Sequence, residues 1–515
     1  MAQRHTTRRN RQAQLISCPI DTKLAQSMGE LDDLLPRRPD ILAAIEADQD
    51  RLALARKAPR VADRAALAAA TPNLPCLDLD APLPEVESLE VGRPRMRPEA
   101  VCHFLLMRGH FGSLSGANWE LASDSSTARH YLDPYLRHNK WPGASTVLDN
   151  LNALSNHTRQ LILTAQAGIA MTAGLDDFCL TIIDSTAIKA NSDFPTDSGT
   201  ILKLLTRVWE SGSRTLKRAG VDTWQRHWTE KWLAMLKCRD FAINTAKTRR
   251  ERAKHYRKFL NTAGKLADHL EREAAAVEEP LFLGAFDLPP SRRQRLLDAW
   301  KKVVTSLIQA HDMIEYSYLR QFGTPDLPAP DRERYLASVS DPDASFIKKG
   351  RRPVVFGYKA QIARSGNGLV TAVHVPEGNV PDCLELEPLV RAHRLTTGVV
   401  PEAVSVDDGY SSAAGRQDVL GLGVKDVSIS GSKGKKLTPA ELYDSDRYRK
   451  LRNVRSTVES LIFVLKHDYE YGELRRRGIA GVRAELLEKA IAYNFHRLAI
   501  LRRARAEAVP DARCA

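Results

Sequence analysis

The sequence predicts an α/β protein in which a mixed sheet is interrupted by a large helical insertion and preceded by a helical region. Three observations carry that prediction. Short β-rich runs, "DFCLTIIDST", "RPVVFGYKAQIARSGNGLVTAVHVPEG", "EAVSVDDGY" and "VKDVSISG", read as strands, the second as a hairpin turning at "SGNG". Helical stretches, "DCLELEPLVRAHRL" and one around Ala413 to Leu420, alternate with the later strands. Residues 191–350, between the first and second of these runs, read as mostly helical. With that interruption removed, the order is strand, hairpin, helix, strand, helix, strand, helix, as expected of an RNase H-like core.

Length and composition bound the rest. The 515 residues leave room for several domains, and 43% hydrophobic residues can build real cores, which excludes a disordered chain. Lys and Arg number 76 against 63 Asp and Glu, a net +13 that favours a polyanionic partner, nucleic acid before membrane. The seven cysteines are scattered with no CxxC pair, which argues against a zinc ribbon or a disulfide framework and fits a reducing cytoplasm. No apolar signal core follows the N-terminus, and the longest uncharged run, Gln160 to Leu175, falls short of the about 20 residues a bilayer span needs. These features lead one to expect a soluble, intracellular, basic protein.

In chain order, residues 1–95 comprise a basic arm (Arg4, Arg8, Arg9, Arg11), a helical segment and a Pro-rich linker. Residues 96–165 read as short helices joined by tight polar turns, with Ser125 or Ser126 as an N-cap. That pattern suits a helix-turn-helix DNA-binding domain, and equally a generic helical subdomain. Residues 176–190 plus 351–500 form the sheet domain, 191–350 the insertion, and 501–515 a tail. Within the insertion, Trp224, Trp228 and Trp232 recur at i, i+4, i+8 and read as one helix face packed into a core. A run from Lys247 to Lys258 holds seven Lys or Arg in twelve residues, a solvated face or a DNA-facing one.

Three carboxylates stand in telling places. Asp184 follows the apolar "TII" and is expected at the far end of that strand, where burial costs several kcal/mol unless a partner or metal compensates. Asp408 follows "AVSV", at or just beyond another strand end. If the two strands are neighbours, the acids share one edge and repel unless a cation lies between them. Glu459 comes from "NVRSTVESLIFVLKHD", where Val454, Val458, Leu461 and Leu465 mark the buried stripe of a helix. Arg455, Glu459 and Lys466 share a separate stripe, within about 40° of each other. Singly, each acid has an ordinary explanation: a strand-end hydrogen bond, an Asp-Gly turn, an i, i+4 helix pair. Jointly, three carboxylates suit two divalent metals about 4 Å apart and phosphoryl transfer on nucleic acid.

The blocks "DSTAIKANSDFPTDSG", "SVSDPDASFIKKGRRPVVFGYKAQIA", "VHVPEGNVPDCLELEPLV", "SVDDGYSS" and "RSTVESLIFVLK", in that order, resemble a bacterial insertion-sequence transposase of the DDE type, in the broad IS4/IS5/IS1182-like and ISNCY-like group. The resemblance implies an RNase H-like catalytic domain with two divalent ions, normally Mg²⁺ with Mn²⁺ as substitute. It implies an enzyme that nicks element ends by hydrolysis and directs the 3′-hydroxyl onto target DNA. Implied partners are double-stranded DNA (terminal inverted repeats and target) and further copies of the chain, as a homodimer or higher multimer, in the bacterial cytoplasm at the nucleoid. Carried over residue by residue, Asp184 is the first aspartate, Asp408 the second with Asp407 as its competitor, and Glu459 the glutamate. Arg455 and Lys466 match the Arg and Lys of the family's Tyr-Arg-Glu-Lys signature, while its tyrosine is replaced by Arg452, which can still hold a phosphate. Lys359, in the Gly-Tyr-Lys block, joins Arg452, Arg455 and Lys466 as a DNA-contacting position. A related nuclease without strand transfer, or a non-catalytic DNA-binding repressor, is the alternative.

Overall fold

The apolar run that begins at Leu180 does not stop at Asp184. In the computed structural model, which describes residues 22–70, 95–136, 140–221, 224, 226–324, 331, 335–350 and 352–508, it is a strand of ten residues. The basic arm, most of the Pro-rich linker and the end of the tail lie outside the described residues.

Helices α1 (Thr22–Leu34) and α2 (Pro39–Ala70) are parted at Pro36, and α2 restarts with Pro39, whose missing N–H is no loss in a first turn. They are followed by α3 (Pro98–Phe111), α4 (Ala117–Asp124), α5 (Ser126–Leu132), α6 (Ala144–Ala153) and α7 (Asn156–Thr172). Ser125 caps α5 by accepting the Ala128 N–H at 3.2 Å, as the sequence suggests. Strand β1 (Leu180–Lys189) comes next, then the insertion helices α8 (Asp197–Arg218), α9 (Arg226–Thr245), α10 (Arg249–Phe286) and α11 (Pro290–Phe322). The chain returns through β2 (Ser345–Ile347), β3 (Val355–Ser365), β4 (Val370–His374), α12 (Leu386–Thr397), β5 (Ala403–Val406), α13 (Ala413–Gly421) and β6 (Asp426–Ile429). It closes with α14 (Ser432–Leu437), α15 (Ala440–Tyr443), α16 (Asp446–Val454), α17 (Ser456–Asp468) and α18 (Ile479–Ala508). The result is a mixed α/β chain, mostly helical, with one mixed sheet. No helix among the described residues is long and apolar enough to cross a membrane.

Strand β1 is central. It runs antiparallel to β3 from Thr181 to Lys189 and parallel to β5 from Leu180 to Ile182. Strand β6 continues the parallel side, and the far edge of β3 takes β2 at one end and β4 at the other. Asp184 therefore lies in mid-strand rather than at a strand end, because the long β3 keeps pairing with β1 after β5 has stopped. Alternation along the strands sorts the two faces. Ile183, Val404 and Val406 pack with Leu389 of α12 and Val419 of α13. On the other face, Ser405 donates to the Leu451 carbonyl of α16 (2.7 Å) and Arg364 to the Thr457 carbonyl of α17 (2.7 Å).

The described residues form two compact units: those within 22–52, 95–191 and 345–508 make one, and those within 53–70 and 192–344 the other. Helices α3 to α7 thus belong to the same unit as the sheet. There α3 lies close on α18: a Cβ added to Gly109 would come within 2.6 Å of the Ala492 Cβ. In the second unit, Trp209, Trp224 and Trp300 share a core with Phe259 and Leu266. The tryptophan stripe is broken up. Helix α9 begins only at Arg226, so Trp224 precedes it and stacks on Trp209 (5.8 Å between centroids), while Trp228 is 54% exposed. Gly212 makes room for Trp224, since a Cβ there would fall 2.1 Å from its ring. The cations Lys247, Arg249, Arg250, Arg252, Lys254, Arg257 and Lys258 are all exposed.

Candidate active site

A cleft of about 510 Å³ opens on the α16–α17 face of the sheet. Its acids come from three elements: Asp184 in β1, Asp407 just after β5, and Glu459 in the first turn of α17. Why Asp407 is there follows from register. Ile182 pairs with Ser405, so carrying the parallel alignment on by two residues sets Asp184 opposite Asp407. Asp407 also shares the parity of Ser405, whose side chain points to α16, whereas Asp408 shares that of Val404 and Val406 on the α12 side.

Asp408 has a different task. Its Oδ1 accepts the N–H groups of Lys433 and Gly434 and the Ser411 hydroxyl, each at 3.0 Å, tying the loop before α14 to the end of β5. Gly431, at φ 109°, is packed against it: a Cβ there would lie 2.6 Å from the Asp408 Cγ. Asp408 does not line the cleft, and the geometry favours Asp407 as the acid beside Asp184.

Asp184 is 8% exposed, and among the described residues its hydrogen bond is the one from the Ser185 N–H to Oδ1 at 2.7 Å. Two cations approach without closing: Lys349 Nζ at 3.8 Å from Oδ1 and Arg455 Nη1 at 3.9 Å from Oδ2. Burial pushes the Asp184 carboxyl above its ordinary range, Lys349 opposes this, and the neighbouring Asp407 adds to it. Arg455 sits where α16 hands over to α17, at bonds of i to i+3 type from Arg455 to Arg452 (3.3 Å) and Val458 to Arg455 (3.2 Å). From there it also pairs with Glu459, which is otherwise exposed. Lys466, farther along the same helix, reaches the Ala187 carbonyl at 3.5 Å. Burial, with Arg352 and Lys349 close by, lowers its pKa.

Of the residues expected from the sequence, Asp184, Glu459, Arg455 and Lys466 line this cleft together; Asp408, Lys359 and Arg452 do not. Lys359 is buried and faces Asp382 (3.3 Å), because its place in β3 turns it under the sheet rather than out of it. Arg452 lies over the Tyr443 ring at 4.1 Å and donates to the Tyr443 carbonyl at 2.6 Å. Asp407, which the sequence offered only as the competitor of Asp408, is the one that strand parity favours. Three contributors were missed: Asp382, Lys349 and Arg352. Asp382 accepts from the Ser185 hydroxyl (2.9 Å) and the Gln361 amide (2.7 Å), steadying the residue next to Asp184. Lys349 and Arg352 come from the β2–β3 connection.

The donor set suits a hard divalent cation. A buried carboxylate whose pKa burial raises, a second acid in register with it and a third on the facing helix offer oxygen ligands, and Arg455 already stands between two of them as a cation. Among the described residues, a trio of possible ligands already gathered within 4.8 Å occurs elsewhere, at Asp268, Glu271 and His311, where His311 Nε2 faces Glu271 Oε2 at 3.4 Å. Asp268 and Glu271 are exposed there, on α10, and His311 is half-buried on α11.

Comparison with known proteins bears on the same region. Residues 331–495 match the family model of the transposase DDE domain. In this region the chain is similar to insertion-sequence DDE transposases. The matched stretch carries Asp407 and Glu459, while Asp184 lies before it. A curated relative, the transposase for insertion sequence element IS1106 of Neisseria meningitidis serogroup B, is 27% identical over 158 residues, which is 30% of this chain and 51% of the relative. The chain thus spans about half the length of that relative. No solved structure matches the chain. DDE transposase domains generally use divalent metal ions, and transposases act on DNA.

Proposed function

We propose that this protein is a DNA transposase that cleaves the ends of an insertion sequence and joins the freed 3′-hydroxyl to target DNA. The observation that carries the reading is the convergence of Asp184, Asp407 and Glu459 on one cleft, with the last two inside the segment matching the transposase DDE domain. The strand order β4-β3-β1-β5-β6, antiparallel up to β1 and parallel beyond it, supports an RNase H-like core.

In this reading Asp184, Asp407 and Glu459 hold divalent ions, Mg²⁺ with Mn²⁺ as substitute. Bound there, such ions supply Lewis-acid stabilisation of the attacking and leaving oxygens. The chain's own residues do the rest. Ser185, fixed by Asp382, directs its N–H at Asp184 and sets that carboxylate's rotamer. Arg455 bridges Asp184 and Glu459, and would be free to hold a phosphate were those acids to hold a divalent ion. Lys466, toward the far end of α17, reaches the Ala187 carbonyl of β1 beside the acids and is placed to meet a DNA phosphate there. Helices α3 to α5 would read terminal repeats, and the exposed cations at the start of α10 would give a second DNA surface. Two element ends must be brought together, which calls for a dimer or higher multimer.

The test is a cleavage and strand-joining assay with Mg²⁺ on labelled DNA that flanks the coding sequence, comparing wild type with Asp184→Ala, Asp407→Ala and Glu459→Ala. Nicking and joining by wild type, with all three variants binding but inert, is expected. Nicking without joining would leave a nuclease, and binding without cutting under any divalent metal would leave a repressor.

A further inference from the structure

The connection between β2 and β3 brings two cations to the cleft that neither the family match nor the acids explain. Ile347 and Val355 are its last paired residues. Within it, the Arg352 N–H donates to the Lys349 carbonyl at 3.1 Å, and Gly350 takes φ 55°, a conformation that L side chains resist. A closed turn of this kind sets its first and fourth residues side by side. Lys349 and Arg352 accordingly both line the cleft, opposite Lys466. Lys349 donates to the Ser185 carbonyl and stands 3.8 Å from Asp184. Among the described residues, neither Arg352 nor Lys466 forms an ion pair.

Three cations held within reach of one another repel unless an anion comes between them. Asp184 accounts for Lys349 as a counter-ion, but among the described residues no carboxylate pairs with Arg352. We propose that the Gly350 turn is a phosphate grip: Lys349 and Arg352, facing Lys466, hold the backbone phosphates of the DNA strand that passes the acids. The proposal rests on the DNA-cleaving reading of the cleft. It makes the turn a substrate-positioning element, selective for a polyanionic backbone and indifferent to base sequence.

The test is fluorescence anisotropy of the full chain with a labelled duplex in EDTA, at salt concentrations from about 50 to about 200 mM. Each of Lys349→Gln and Arg352→Gln is expected to flatten the slope of log affinity against log salt by about 0.9, one phosphate contact each. Each should also weaken binding several-fold at the lower salt, and Lys349→Arg should restore the slope, since the phosphate asks only for a cation. An unchanged slope in both Gln variants overturns the grip while leaving the transposase reading intact. A wild-type chain that binds no duplex at any salt overturns both. Should Lys349→Gln fail to fold through loss of the Asp184 counter-ion, Arg352→Gln decides the matter alone.

Discussion

Asp184 and Glu488 are both buried carboxylates among cations of the same compact unit, and they are held in opposite ways. Glu488, on α18, takes hydrogen-bonded pairs from Arg108 (2.6 Å), Arg159 (2.7 Å) and Arg476 (2.8 Å). Burial alone would raise its pKa, yet the three guanidinium groups bring it down to about 2. Asp184 has its cations at 3.8 and 3.9 Å, beyond hydrogen-bond reach, and retains its proton more readily than an ordinary aspartate. The first arrangement is closed: both carboxylate oxygens accept from guanidinium groups, and α3, α7 and α18 are locked together. The second is open, and a further cation would improve it. A functional acid differs from a structural one here in how far its neighbours stand off.

The comparison can be broken most decisively through activity. Asp184→Asn and Asp407→Asn should each lower strand cleavage by about a thousandfold or more, while Asp408→Asn should keep cleavage within about tenfold of wild type. Equal losses at Asp407 and Asp408 would undo the parity argument. Stability should respond the other way round. Glu488→Ala strands two buried guanidinium groups and the half-buried one of Arg476, and should cost about 3–5 kcal/mol in urea unfolding. Asp184→Asn removes a poorly compensated buried charge, so in metal-free buffer it should leave stability unchanged or raise it by about 1 kcal/mol.

The pH dependence sharpens this contrast. The folded-state pKa of Glu488 is depressed from 4.5 to about 2, so its contribution is present above about 4.5 and is lost as pH falls toward 2. Its size is up to about 3 kcal/mol, and urea titrations of Glu488→Gln should show a correspondingly shallower acid limb. Asp184 is raised in the folded state, so its protonated form favours folding and the contribution is lost as pH rises through that pKa. A small loss is expected at Asp408: replacing this loop-tying acid with Ala should cost about 1 kcal/mol in urea unfolding, as for other caps.

Much of this was legible beforehand, for physical reasons. Strands and helices from Leu180 to Lys466 announce themselves by periodicity, and α17 shows both its buried stripe and its Arg-Glu-Lys stripe. The choice between Asp407 and Asp408 turned on parity, which is set by the last strand residue, Val406, and by the parallel partner that fixes register. Lys359 read as a DNA contact from its place in the Gly-Tyr-Lys block, but Asp382 waits for it beneath the sheet. The tryptophan spacing suited a helix, and tertiary packing against Trp209 and Trp300 pulled Trp224 out of it. Lys349 and Arg352 lie more than a hundred residues from Asp184 along the chain, and only the β2–β3 turn brings them to it.

The most direct measurement is Mn²⁺ binding, by electron paramagnetic resonance, to the full chain with bound duplex DNA, comparing wild type, Asp184→Asn, Asp407→Asn and Asp408→Asn. Wild type and Asp408→Asn should bind the ion alike, while Asp184→Asn and Asp407→Asn should bind it at least about tenfold more weakly. Loss of binding in Asp408→Asn with retention in Asp407→Asn, or indifference of all three variants, would contradict the account.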